Sequence, residues 1–372
     1  MSTIYLDYNA STPTDPAVTA AMRLFLEDSY GNPSSGHWAS APAKAAVESA
    51  RGKVAALLGC GSDEVVFMSG GSEANNLALK GLFFRRHDRP SHVITSQIEH
   101  PATLAPCRFL ARLGATVSYV RVDGTGLVDP DDIRKVITKD TFLISIMHAN
   151  NEVGTIQPIA EIAKIAREHG IPLHSDAAQS VGKIPTKVDE LDVDLLSVAG
   201  HKVYAPKGIG ALYVRRGIEI EPLVHGAGHE GGRRAGTESA LLTTALGEAC
   251  EIAQPWIGMP AVQGLRDLFW VRLRAAFGNQ IVLNGHPERR LPNTLNVSFV
   301  GRAGADILAL LPDVAASTGS ACHAGEITLS PVLRAMGIAP EVGMGAIRFS
   351  LGRNTTAEEI EGIVKRLTRM LT

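Results

Sequence analysis

Leu195-Leu196-Ser197-Val198-Ala199-Gly200-His201-Lys202 is a strand-length apolar run that ends in glycine, histidine and lysine. Such a run fits a buried strand that delivers Lys202 to its carboxyl end. An ammonium held there is poorly solvated. Desolvation lowers a lysine pKa and frees an amine to attack a carbonyl, forming a Schiff base. The following Val203-Tyr204-Ala205-Pro206-Lys207-Gly208-Ile209-Gly210 is a Pro/Gly-punctuated turn into a second strand over 211–214. A lysine is ordinarily a solvated surface group, so the weight rests on what neighbouring strands bring to the same edge.

Working outward, further strands are predicted over 65–68, 92–95, 117–120, 142–147 and 171–175, with helices over 74–86, 103–113, 130–137 and 158–169. Asp129 reads as the N-cap of the 130–137 helix, with Pro130 at its first position. The alternation predicts an α/β fold: a mainly parallel seven-stranded sheet covered on both faces, with ligands at the carboxyl ends of the strands. Beyond about residue 255 the texture changes. Helices over 261–276, 303–311 and 356–370 are interleaved with short strands over 295–299, 314–317 and 346–350, and Thr356 with Glu359 forms a capping box. This predicts a large domain over 14–254 and a smaller α+β domain from 1–13 and 255–372.

At 372 residues the chain has room for two domains, and its composition is that of an ordinary globular protein: 45% hydrophobic, 20% charged, formal charge −2. The near-neutral balance and the absence of a basic run exclude nucleic acid as the main ligand. No secretory signal and no membrane-length apolar run is visible, so the expected location is the cytoplasm. Cys60, Cys107, Cys250 and Cys322 are scattered, with no Cys-x-x-Cys pair, which suits a reducing compartment and neither a disulfide framework nor a zinc site.

Each strand end carries polar chemistry. Ser69-Gly70-Gly71-Ser72 opens a helix, whose free N–H groups and dipole, with the Ser72 hydroxyl, suit an anion. The turn lacks a P-loop lysine and a dinucleotide fingerprint. His100, just before Pro101, either stacks flat on an aromatic ligand or caps its helix. His148-Ala149-Asn150-Asn151-Glu152 is a polar cluster or ordinary turn chemistry. Asp176 sits where a buried carboxylate holds a proton on a ring nitrogen; His174-x-Asp176 has no further pair with metal-ligand spacing, so no metal is expected. An anion turn, a flat imidazole, a carboxylate and a Schiff-base lysine together describe a site for pyridoxal 5'-phosphate. Cys322 stands among glycine, serine and alanine, too poor to form a core, in what reads as a mobile loop suited to a nucleophilic thiol beside His323. The other three cysteines read as small core hydrophobes. Arg348, inside the apolar run Ala346 to Ser350, needs a partner: an amino-acid carboxylate or a structural acid.

With these residues in hand, the chain resembles the cysteine desulfurases of the aminotransferase class V group and their relatives the selenocysteine lyases. The matching motifs run nearly end to end: Tyr5-Leu6-Asp7-Tyr8-Asn9-Ala10-Ser11-Thr12-Pro13, Gly31-Asn32-Pro33-Ser34-Ser35, Ser175-Asp176-Ala177-Ala178-Gln179, Gly200-His201-Lys202, Arg234-Ala235-Gly236-Thr237-Glu238, Gly319-Ser320-Ala321-Cys322 and Arg348-Phe349-Ser350-Leu351-Gly352-Arg353. The resemblance implies the type I pyridoxal-phosphate-dependent transferase fold, as a homodimer with sites at the subunit interface. It makes Lys202 the link to the cofactor and His100 the group stacked on its ring, with a part in proton transfer. Asp176 pairs with the ring nitrogen, and Gln179 contacts the ring oxygen. Gly71, Ser72 and His201 bind the phosphate, with Thr237 reaching it from the second subunit. Asn151 and Arg348 hold the substrate carboxylate.

In this reading Cys322 attacks the sulfur of L-cysteine and keeps it as a persulfide, releasing L-alanine. The persulfide then passes to an acceptor protein, such as an iron–sulfur scaffold or a sulfur relay protein. One departure concerns the cofactor: Ala199 stands where many desulfurases carry a phosphate-binding serine. The lyases also lack that serine, and the spellings at Asn9, Gly71 and Cys322-His323 lean toward them, making selenocysteine the alternative substrate. An aminotransferase on the same fold would not need Cys322, and a non-catalytic scaffold would have no use for Lys202, Asp176 and Cys322 together.

Overall fold

The seven apolar runs pair into one sheet in the order Val65–Met68, Gly210–Val214, Leu195–Ala199, Leu173–Asp176, Thr141–Ser145, His92–Ser96, Thr116–Val120. In this computed structural model residues 3–86, 89–318, 320–323 and 326–371 are described; the side chains of 320–327 lie outside the described set. Six strands run the same way, and Gly210–Val214 is antiparallel to both its neighbours. The reason is length: only the short turn after Lys202 joins it to Leu195–Ala199, and a parallel connection needs a dozen residues or more. The six strands other than the Thr116–Val120 edge are buried throughout, as expected where helices cover both faces.

Helix Pro130–Val136 starts as its sequence predicts, with Asp129 Oδ1 accepting from the Asp131 N–H at 2.9 Å. Among the described residues, three of the longer helices stand outside the predicted set: Pro16–Glu27, Ala41–Leu58 and Ala240–Ala253. The last two mix small residues such as Ala43, Ala50, Ala245 and Gly247 among the side chains they bury. At Gly247 an added Cβ would lie 2.6 Å from the Ala50 Cα, so the two backbones pass almost in contact. Small residues at a close crossing give weak hydropathy contrast, and for that reason periodicity passes over them.

Beyond residue 255 a second core gathers Phe269, Leu273, Phe277, Val297, Phe299, Phe349, Ile363 and Leu367. It lies between the helices Pro260–Phe277 and Ala357–Leu371 and an antiparallel sheet in the order Ser317–Thr318, Ala346–Ser350, Thr294–Phe299, Ile281–Asn284. The run predicted over 314–317 divides: Val314–Ala315 pairs in parallel with Ile4–Tyr5, and Ser317–Thr318 joins the larger sheet. Leu6 belongs to this second core, so the amino-terminal segment packs with the carboxyl-terminal third. From there residues 7–12 run across to the carboxyl edge of the large sheet, where Thr12 N donates to the His201 carbonyl at 2.9 Å. Among the described residues no helix is long and apolar enough to cross a membrane.

Candidate active site

Five turns at the carboxyl ends of parallel strands meet the segment 7–12 and Arg348, enclosing a cavity of about 310 Å³. That volume lies at the small end of ordinary ligand sites. Its walls include Gly71, Ser72, His100, Asn151, Asp176, Gln179, Ala199, His201, Lys202 and Arg348. The sequence-predicted residues therefore converge, with two exceptions. Thr237 is exposed and is not in the wall of its own chain's cavity. Cys322 has its backbone in a hairpin, Ser320–His323 against Glu326–Leu329, where a loop was expected; its side chain lies outside the described residues.

The Lys202 Nζ donates to the Asn9 carbonyl at 2.5 Å and the Ala10 carbonyl at 2.8 Å. Burial, then the Arg348 cation, draws its pKa down to about 8 against the opposing pull of Asp7 and Asp176. His201, the preceding residue, is pushed down to about 4 by burial and by the Lys202 charge, so its imidazole is neutral. Ala199 presents a methyl to the cavity 3.2 Å from where a Cβ on Gly71 would stand, so Gly71 leaves the helix start open there.

Asp176 is nearly fully buried. Its Oδ2 accepts from Asn75 Nδ2 at 2.6 Å and its Oδ1 from the Ala178 N–H at 2.9 Å. His100 caps its helix, Nδ1 accepting from the Ala102 N–H at 3.1 Å, and it also lines the cavity. Burial lowers its pKa, with Asp176 opposing and Lys202 adding to the effect. Arg348 takes the structural alternative in this state. It donates to Asp7 Oδ1 at 2.6 Å, Ser317 Oγ at 2.8 Å and the Asn151 carbonyl at 2.9 Å. Its Nε is buried with no partner among the described residues.

Four residues of the site escaped the sequence reading. Asn75 sits one helical turn after Gly71 and so faces the sheet, a spacing that marks it. Asp7 and Asn9 lie in the quoted amino-terminal motif, but nothing local shows that this segment crosses to the large sheet. Lys183 follows Gln179 by four residues and has the appearance of a surface lysine. Of the remaining cysteines, Cys107 and Cys250 are buried and Cys60 is partly so, with burial pushing all three thiols up to about 12. They are inert beside the site, as core residues should be.

A buried carboxylate, a neutral imidazole, an amine of lowered pKa and an open helix start fit an aromatic aldehyde that bears a phosphate. The comparisons with known proteins point the same way. The aminotransferase class-V family model matches residues 4–363. Curated relatives named cysteine desulfurase IscS include that of Dictyoglomus turgidum, 46% identical over 99% of this chain and 94% of the relative. That of Methanosarcina thermophila is 44% identical over 97% and 90%. Among solved structures, a NifS-like protein superposes with a TM-score of 0.92 at 36% identity, covering 99% of each chain. SspA in complex with cysteine gives 0.82 at 39% identity, covering 94% of this chain and 99% of the other. Near full-length likeness in both sequence and fold, on a site of matching chemistry, leaves one conclusion: the chain belongs to the aminotransferase class-V family, among its cysteine desulfurases.

Proposed function

We infer that this protein is a cysteine desulfurase that uses pyridoxal phosphate, on which this family depends, to convert L-cysteine to L-alanine. The observation that carries the reading is the convergence of Lys202, Asp176, His100 and the Gly71-Ser72 helix start on one cavity. Lys202 would hold the aldehyde carbon, Asp176 the ring nitrogen and Gln179 the ring oxygen. His100 would stack on the ring, and Gly71, Ser72 and His201 would take the phosphate. When bound, the cofactor supplies an electron sink for a carbanion beside the substrate nitrogen.

The chain's own groups do the rest. Asp176, oriented by its two hydrogen bonds, would hold a proton on the ring nitrogen. Lys202 Nζ, with a pKa near neutrality, moves a proton at the reacting carbon, and His100 assists. Asn151 and Arg348, both in the cavity wall, orient the substrate carboxylate. The Cys322 thiolate attacks the substrate sulfur. One S–S bond forms, one C–S bond breaks, the electron pair passes to the carbon that becomes the alanine methyl, and Cys322 keeps the sulfur as a persulfide for an acceptor protein.

Thr237 lies on the exposed loop of its own chain, so a second copy would bring it to the phosphate; a homodimer completes the site. The cavity lies at the seam between the units 14–254 and 1–13 with 255–372. The test measures alanine and sulfide formed from L-cysteine under reducing conditions, with and without Cys322→Ala. Wild type should release both and the variant neither. Undiminished turnover by the variant would point to transamination chemistry, and a large preference for selenocysteine in the intact protein to a lyase.

A further inference from the structure

Four residues past Gln179 the chain carries a second buried lysine that the mechanism above does not use. Lys183 is 5% exposed, and no carboxylate among the described residues pairs with it. A buried ammonium normally requires an acid. Here burial, Lys202 and Arg348 together hold its pKa well below the usual lysine value. The turn that carries it is fixed: Gly182 has φ +74°, and a Cβ there would meet Val203 Cγ2 at 2.6 Å.

What Lys183 touches is the floor of the site. Its Nζ donates to Gln179 Oε1 at 2.9 Å and to Asn9 Oδ1 at 3.2 Å. Gln179 Nε2 donates to the Asn9 carbonyl at 2.9 Å, the same oxygen that receives Lys202 Nζ. The rest of Asn9 is held too: Oδ1 accepts from Asn293 Nδ2 at 3.0 Å, and Nδ2 donates to Thr294 Oγ1 at 2.8 Å. An amide is nearly symmetric in shape but not in polarity. A donor behind Gln179 requires the oxygen to face Lys183, and so turns the NH₂ toward Asn9 and the cavity.

We propose that Lys183 is a positioning residue for the reaction: its Nζ fixes the direction of the Gln179 amide and anchors Asn9, whose carbonyl holds Lys202. The proposal rests on the reading of Gln179 and Lys202 as cofactor contacts. The other charged or titratable groups around the two lysines are Asp7, Asp176, His100, His201 and Arg348 on the cavity side. Tyr8, Tyr204 and Arg353 line a small void that both lysines share. Substitution at 183 leaves all of these in place.

The experiment loads wild type, Lys183→Met and Lys183→Gln with pyridoxal phosphate and titrates the visible absorbance against pH, alongside kcat and KM for L-cysteine. Methionine keeps the apolar stem and deletes the donor; glutamine keeps one donor. Without its restraint Gln179 turns, the ring oxygen loses a donor and becomes more basic, and it holds its shared proton more tightly. The midpoint should rise by about one pH unit in Lys183→Met and by less in Lys183→Gln. In Lys183→Met kcat should fall about tenfold with KM changed by less than about threefold. An unchanged midpoint and kcat in a variant that carries the cofactor would reduce Lys183 to core filling and overturn the proposal. If Lys183→Met does not fold, Lys183→Gln decides by the same two criteria. A wild type that develops no visible band would overturn the cofactor reading, and this proposal with it.

Discussion

Lys202 shows how far one residue's environment sets its chemistry. Its lowered pKa makes the pH dependence of cofactor uptake calculable in sign. Below about 8 the amine is mostly protonated and cannot attack; above it the free amine dominates. The rate at which cofactor-free protein takes up pyridoxal phosphate should therefore climb through pH 7 and level off above about 8, where an ordinary lysine would still be climbing at 10. Stopped-flow absorbance measures this directly. Ala199 offers a second test. Its methyl faces the cavity beside Gly71, so Ala199→Ser adds a hydroxyl where the phosphate is expected. One hydrogen bond to a charged group should tighten cofactor binding by about 1.5 kcal/mol, roughly tenfold in Kd by equilibrium dialysis. Most site residues were legible because each stands directly after a strand-like run. Lys183 and Asp7 were not, since a lysine or aspartate in a polar stretch looks the same whether it ends in solvent or in a cavity.

The elements sort by the same logic. Strands such as Val65–Met68 and Gly210–Val214 were readable almost to the residue, because unbroken apolar runs between turn residues have no solvent-facing alternative. The helices Ala41–Leu58 and Ala240–Ala253 were missed because the small residues at their crossing, Ala50 and Gly247 among them, blur the apolar stripe. Their contact makes its own prediction. Gly247→Val places side-chain atoms against the Ala50 backbone and should destabilise the protein by about 1–3 kcal/mol in urea unfolding, with the cofactor absorbance of the folded protein unchanged. The loop that carries Thr237 depends on a different device. Glu230, at φ 53°, is buried, with its carboxylate bridging the Arg51 guanidinium at 2.7 and 2.9 Å and the Phe67 N–H at 2.8 Å. Glu230→Ala leaves the buried Arg51 cation only its longer contact with the exposed Glu48, and should cost about 3 kcal/mol by the same measurement.

At the scale of the whole molecule, the site needs both ends of the chain. Asp7, Asn9 and Arg348 come from segments that pair with each other in the second core, whereas Lys202 and Asp176 come from the large sheet. Sequence alone indicated an amino-terminal segment packed with the carboxyl-terminal third, but not that it crosses the mouth of the sheet, because no local pattern encodes so long a contact. The proposed homodimer extends this reach across two copies. Lys202→Ala and Thr237→Ala chains, each inactive or weak alone, should recover about a quarter of wild-type turnover when subunits are mixed, since half the dimers then hold one intact site. No recovery after verified exchange would place Thr237 outside the site. The central claim, that one amine carries the cofactor, has a direct test. Protein loaded with pyridoxal phosphate, reduced with borohydride, digested and weighed should carry the cofactor mass on the peptide containing Lys202 and on no other. The mass found on the Lys183 peptide, or on none, would contradict the account.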